Sequence, residues 1–365
     1  MNKIKKITIN FPYITQEAFI GHDLKLFICE KIKKCQYDRI LLVIDRNVYK
    51  IHKSYIDYIA SKTGINSTLY LKPEANYKSY PECDRIFERL VRLKASRKSC
   101  IIAVGGGYVS DIAGYAASVY MRGIEFIQIS TTVMSMVDPV IGKVAINYKG
   151  IKNLLGSFYS PRYVFCDTDF IKTINLTEKI YGLVEAWKHV ILISNREYTK
   201  KIESYLTRPE DKLLIDLIPL SIETKKYFVE RDDHDVNGHH KALSLGHTMA
   251  NYFEKNPAVR HGVAVFYGMM LSFILAYNIK IIDRNKYQSL MHTATLFEKK
   301  IQLLPEFKKE MIFKQIIKSL SIDKINNNGQ YNFVLPTQKN FVVKNILSRN
   351  SISIAINDFN KLFFK

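Results

Sequence analysis

Apolar positions in the first half of the chain gather into short, continuous runs. Leu41–Asp45 (LLVID), residues 101–107 (IIAVGGG), the apolar run ending in Thr131-Thr132 and Tyr163–Asp167 (YVFCD) have the length and bulk of buried strands. Helical spacing separates them, so residues 1–175 predict alternating strands and helices, the pattern of an α/β fold. Beyond residue 175 the spacing is helical. Glu178–Ile193, Leu214–Asp232, Leu243–Glu254 and His261–Asn278 each predict a helix. The change of period places a domain boundary near residue 175, giving an α/β domain over 1–175 and a mainly α-helical domain over 176–365. No internal repeat or low-complexity linker interrupts either part.

The run IIAVGGG predicts a strand entering a turn at Gly105, Gly106 and Gly107, with Asp111 opening an apolar helix. Glycine permits φ > 0 and lets a phosphate approach the main chain. A helix N-terminus adds free N–H groups and a positive dipole end. The run is not G-x-G-x-x-G and has no P-loop Lys-Ser/Thr, so a plain strand–turn–helix connection is the alternative. Asp45 closes a strand, where an acid serves either a ribose hydroxyl or a helix cap.

Composition narrows the class. A chain of 365 residues with 47% hydrophobic residues is globular and long enough for two cores. It has neither a run of eighteen apolar residues nor a signal-peptide pattern, so a cytoplasmic protein with no membrane partner is expected. The net charge of +20 suits a phosphorylated substrate or a nucleic acid. Lys and Arg are spread without a basic block, which argues against nucleic acid. Cys29, Cys35, Cys83, Cys100 and Cys166 are scattered with no C-x-x-C, as in a reducing compartment.

Further chemistry follows the glycines: Tyr120-Met121-Arg122-Gly123, Thr131-Thr132, Val137-Asp138, Lys143, Asn147 and Lys152-Asn153. In the second half, Glu185 lies in GLVEAWKHV with Lys188 on the same helical face, His247 lies in SLGHT and His261 in RHGVAV. Taken singly, Glu185 reads as a solvated helix residue and each histidine as a cap. Together, one carboxylate and two imidazoles make a divalent-metal site with open positions.

The order of these motifs resembles the 3-dehydroquinate synthase family of sugar-phosphate cyclases, from about Asp45 to Pro336. That resemblance implies a Rossmann-like NAD-binding domain, a helical metal-binding domain, and an active site in a cleft between them that closes on ligand. It implies Glu185, His247 and His261 as ligands of zinc or cobalt. Asp45, Lys78, Gly105, Gly106, Gly107, Asp111, Thr131, Thr132, Lys143, Lys152 and Thr173 would hold NAD. Catalytic roles fall to Lys143, Lys188, Lys225, Asp138, Asn153 and Arg122. Arg122 would reach the substrate phosphate across a homodimer interface. The C-terminal segment from Asp323-Lys324 to Pro336 is similar to the family's terminal Asp-Lys-Lys segment, with Ile325 at the second lysine.

The implied reaction, a step of the shikimate pathway, is redox-neutral. A substrate hydroxyl is oxidised with NAD as transient hydride acceptor, phosphate leaves by β-elimination, the ketone is reduced, and an intramolecular aldol reaction closes a carbocycle. Several positions depart from the pattern. Ala75 stands at an expected acid with Glu74 one residue early, Gly142 is single, Pro139 replaces a serine and Val263 a glutamate. His240, Ser244 and Asn251 stand where 3-dehydroquinate synthases have arginine, asparagine and histidine. Histidine lacks the fixed charged fork that holds a carboxylate, although Lys241 is adjacent. Cyclases on carboxylate-free sugar phosphates, the 2-deoxy-scyllo-inosose and 2-epi-5-epi-valiolone synthases, are therefore alternatives. A polyol dehydrogenase of the glycerol-dehydrogenase type and a catalytically inactive binding paralogue are others.

Overall fold

The structure, a computed structural model, describes residues 4–72, 78–236, 238–256, 258–301, 315–317, 331–346 and 348–363. Glu74, Ala75, Asp323, Lys324 and Ile325 lie outside them. The chain forms two compact units: Met1–Asn175 with Ile218–His234, and Leu176–Leu217 with Asp235–Lys365. The Asp211–Val229 helix carries the chain from the second unit into the first, with Pro219 inside it. Proline has no amide N–H, so the helix lacks one backbone hydrogen bond at that point.

The first unit is built on a seven-stranded sheet. In chain order its strands are β1 (Lys5–Asn10), β2 (Thr15–Gly21), β3 (Ile40–Asp45), β4 (Ser67–Leu71), β5 (Cys100–Gly105), β6 (Glu125–Ser130) and β9 (Tyr163–Asp167). Their spatial order is β1-β2-β9-β6-β5-β3-β4. Only β1 with β2 is antiparallel; the other pairs run parallel. A parallel sheet covered on both faces needs apolar side chains on both faces, and every residue of β5 and β9 is buried. A separate hairpin, β7 (Val144–Tyr148) with β8 (Ile151–Ser157), was not foreseen; its second strand carries Lys152 and Asn153 and is largely exposed.

Strand order reverses between β3 and β5, because β4 lies outside β3 while β6 lies outside β5. In open α/β sheets a ligand crevice forms where the order reverses, at the carboxyl ends of the strands. Ile44 pairs with Val104, so Asp45 and Gly105 end neighbouring strands at that point.

In the second unit, a helical core surrounds Trp187, whose ring centroid lies 4.9 Å from Phe297 and 5.6 Å from Phe273. The helix predicted over His261–Asn278 has those bounds. It is the one helix among the described residues long and apolar enough to cross a membrane, yet 83% of it is buried within the protein. The helices predicted over 178–193 and 214–232 span Leu176–Leu192 and Asp211–Val229. Residues 243–254 do not form one helix. A short 3-10 turn, His240–Ser244, ends before Gly246, whose φ of +82° breaks the run, and His247–Phe253 follows as a new helix. A hairpin of β10 (Tyr331–Pro336) and β11 (Phe341–Ile346) completes the unit.

Candidate functional site: a carboxylate and two imidazoles, and a glycine-lined crevice

Three helices of the second unit bring Glu185, His247 and His261 together. One ligand atom from each lies within 4.8 Å of the others. Glu185 sits midway along the Leu176–Leu192 helix, while His247 and His261 are the first residues of their helices. Neither histidine caps its helix by a side-chain hydrogen bond. Glu185 is wholly buried rather than solvated.

Close backbone approach sets this geometry. A β-carbon on Gly268 would meet the Gly246 carbonyl oxygen, so the His247 helix crosses the His261 helix with no side chain between them. A β-carbon on Gly262 would stand 2.5 Å from the Tyr181 carbonyl oxygen. That contact seats the start of the His261 helix on the Glu185 helix.

The electrostatics fit a cation. The Glu185 carboxylate lies 2.5 Å from the Lys188 ammonium, 3.3 Å from His261 Nε2 and 3.8 Å from His247 Nε2. Burial alone would raise the Glu185 carboxyl; the Lys188 ammonium and the two imidazoles outweigh it and hold the group well below the usual carboxylate range. Desolvation, with the Lys188 charge second, pushes His247 down to about 4, so its ring is neutral at physiological pH, as a ligand must be. His247 Nδ1 lies 3.3 Å from the Leu245 carbonyl oxygen, and His261 Nδ1 lies 2.7 Å from Glu254 Oε1. Both contacts turn Nε2 towards Glu185. A buried carboxylate facing two Nε2 atoms is a donor set suited to zinc or cobalt.

The first unit holds the remaining candidates in three groups. The glycine turn ends β5 and starts the Gly107–Val119 helix at Gly107, so Asp111 lies one turn inside it rather than opening it. None of Gly105, Gly106 and Gly107 takes a left-handed φ, contrary to the expectation for the turn. Closeness explains two of them: a β-carbon on Gly105 would meet Val109 at 2.7 Å, and one on Gly106 would meet Thr132 at 3.2 Å. Gly107 faces open space at the helix N-terminus. Beside the turn, the Thr131 amide donates to the Gly105 carbonyl at 3.1 Å. The Thr131 hydroxyl is buried without a hydrogen-bond partner among the described residues. Open backbone beside an orphaned hydroxyl, at the point of strand reversal, fits a nucleotide diphosphate. Thr132 is committed to capping the Val133–Val137 helix through Ser135.

Asp45 caps a helix. Its Oδ1 accepts from the amides of Asn47 and Val48 at 2.7 and 3.2 Å. Burial raises this carboxyl despite those two bonds. Thr173 ends a 3-10 helix, with its hydroxyl 2.9 Å from His52 Nε2.

A second group joins the hairpin to the glycine helix. Lys78 Nζ lies 2.6 Å from Asp111 Oδ2 and donates to Asn153 Oδ1 at 2.7 Å. The Asn153 amide donates to Asn147 Oδ1 at 3.0 Å, and Asn153 takes a left-handed φ of +51°. Lys143 precedes β7, directly after Gly142 at φ +84°. In the third group, the Lys225 ammonium meets Asp138 Oδ1 at 2.6 Å and the Pro139 carbonyl at 2.6 Å. Arg122 stands apart and exposed, where Met121 and Arg122 take φ of +49° and +66° in succession. Two adjacent left-handed residues without glycine are costly and concentrate at functional sites.

Comparison with known proteins now bears on these groups. Residues 68–180 match the model of the 3-dehydroquinate synthase N-terminal region and residues 182–326 that of its C-terminal region. A 3-dehydroquinate synthase of Staphylococcus carnosus is 33% identical over 335 residues, covering 89% of each chain. The chain belongs to the 3-dehydroquinate synthase family. The same fold occurs in ValA, a 2-epi-5-epi-valiolone synthase from Streptomyces hygroscopicus subsp. jinggangensis solved with NAD+ and Zn2+ bound. The TM-score is 0.85 at 18% identity, over 97% of this chain and 99% of that one. It occurs again in a 2-deoxy-scyllo-inosose synthase complexed with carbaglucose-6-phosphate, NAD+ and Co2+, with a TM-score of 0.83 at 22% identity over the same shares.

At the positions where this member departs from the family, His240 is buried. Lys241 instead lines a small pocket with Ser244, Thr248 and Asn332. The residue that sequence reading passed over is Glu254. Its one signal is a spacing of seven from His247, two turns along the same helical face.

Proposed function

We propose that this chain is a sugar-phosphate cyclase of the 3-dehydroquinate synthase type, converting a heptulose phosphate to a carbocycle with loss of phosphate. The observation that carries the proposal is the convergence of Glu185, His247 and His261 beside buried Lys188, in a chain of this family. Glu185, His247 and His261 would hold zinc or cobalt, and the glycine turn with Thr131 would hold NAD. Bound there, NAD supplies a reversible hydride acceptor, and the ion supplies polarisation of substrate oxygen.

The chain's own residues do the positioning. Lys188 keeps an ammonium against Glu185 in a buried pocket, where it donates to a substrate oxygen and stabilises charge developing there. Lys225 spends two of its three donors on Asp138 and Pro139, so its third points along one direction for a substrate hydroxyl. Lys143, Lys152, Asn153 and Arg122 are donors suited to phosphate. Two copies of the chain would supply Arg122 to each other's substrate.

A second reading has its own support. Buried His240 in place of a family arginine favours a substrate without a carboxylate, while Lys241 in the Ser244 pocket favours one with it. Phosphate release from NAD- and zinc-loaded protein separates them. The assay offers 3-deoxy-arabino-heptulosonate 7-phosphate, sedoheptulose 7-phosphate and glucose 6-phosphate in turn. Release from the first alone supports the 3-dehydroquinate reading. Release from either other substrate alone replaces it with the carboxylate-free reading. Silence with all three, in protein that holds zinc, refutes the 3-dehydroquinate reading and points to a different sugar phosphate.

A further inference from the structure

Glu254 ends the His247–Phe253 helix as its C-terminal cap residue, with a side chain 11% exposed. Its Oε1 lies 2.7 Å from Nδ1 of His261, while Nε2 of the same ring lies 3.3 Å from Glu185. One imidazole is therefore held between two carboxylates, one on each ring nitrogen. Neutral imidazole has a single N–H, and whichever nitrogen carries it cannot coordinate a metal. A carboxylate at Nδ1 can only accept, so it keeps the proton there and leaves the Nε2 lone pair for an ion.

We propose that Glu254 is a positioning residue for metal binding. It fixes the tautomer and plane of His261 while the ligand itself remains His261. This rests on the metal reading given under the proposed function. One short helix then carries a ligand, His247, at its start and the support of the other histidine at its end. The two ligands are supported unequally: His247 Nδ1 has a backbone carbonyl at 3.3 Å, and His261 Nδ1 has a carboxylate at 2.7 Å. A charged acceptor gives the stronger bond, so removing Glu254 should be felt in metal affinity before it is felt in fold.

The test uses full-length protein stripped of metal and titrated with Zn2+ alone against a chromophoric chelator, with Co2+ absorption as the second readout. Glu254→Ala should raise the Zn2+ Kd about 10- to 100-fold, the usual loss when such a support is removed. Glu254→Gln, whose amide oxygen still accepts from Nδ1, should stay closer to the original chain and keep its Co2+ band positions. If the alanine variant does not fold, Glu254→Asp decides. Its shorter side chain cannot hold the 2.7 Å contact in place, so its Kd should rise above that of the glutamine variant. Equal Zn2+ affinity across the original chain and the folded variants would overturn the assignment. An original chain that binds no Zn2+ would instead overturn the metal reading beneath it.

Discussion

Gly262→Ala tests whether backbone contact builds the metal site. The added β-carbon would stand 2.5 Å from the Tyr181 carbonyl oxygen and 2.8 Å from its Cα and Cβ. Ordinary contact begins at 3.4 Å, so the start of the His261 helix must retreat from the Glu185 helix by about 0.9 Å. His261 is the neighbouring residue, and Tyr181 lies one turn before Glu185. The 3.3 Å separation of His261 Nε2 from Glu185 therefore changes by an amount of that order. Coordination tolerates displacements of about 0.2 Å. Overpacking of this kind also costs about 1–3 kcal/mol. The variant should fold, melt earlier without metal, and lose zinc on dialysis that leaves the original chain loaded. Zinc content and Kd equal to those of the original chain would refute the reasoning.

Other perturbations separate the remaining roles. Lys188→Met leaves Glu185 buried without its ammonium, which should destabilise metal-free protein by about 3–5 kcal/mol, read as a lower denaturation midpoint; added zinc should restore much of it, and an unchanged midpoint would count against the ion pair. The Glu185 carboxyl is held below its ordinary range in metal-free protein, so its contribution is present above that range and lost as pH falls through the lowered value. A stability–pH curve of the metal-free Lys188→Met variant should lack that acid limb. Gly107→Ala places a methyl in open space at the helix start and should weaken NAD binding by titration without lowering the melting temperature; unchanged NAD affinity would remove the cradle. Asp138→Asn unties Lys225 at a partly exposed pair, so stability should change by under about 1 kcal/mol while phosphate release falls; full turnover would refute the anchor.

The apolar pattern was legible wherever burial was complete. Strands β3, β5, β6 and β9 and the His261–Asn278 helix lie within a residue or two of the bounds read from it, since the buried, mainly apolar residues at their centres mark each element whatever polar residues they carry. It failed where backbone conformation overrides side-chain pattern. Leu243–Glu254 keeps helical spacing across Gly246, yet a left-handed φ there restarts the helix and makes His247 its first residue. The β7–β8 hairpin was missed because exposed Ile151, Lys152, Asn153 and Leu154 give no alternation to read. For the metal candidates, no single residue stood out, and the family pattern supplied their grouping. Glu254 had no such pattern to lean on, because its partner lies beyond the end of its helix.

The crossing of Gly246 and Gly268 has a consequence for how such a chain can diversify. A side chain used as a spacer has alternative rotamers and changes size with each substitution. A peptide unit has neither freedom, so the gap between these two helices is one backbone thickness whatever surrounds it. Residues that would face a substrate, such as His240, Ser244 and Asn251, can be exchanged without altering that gap. The spacing of the residues proposed to hold an ion is thus independent of the residues proposed to choose the sugar, so a lineage could change the second set while keeping the first.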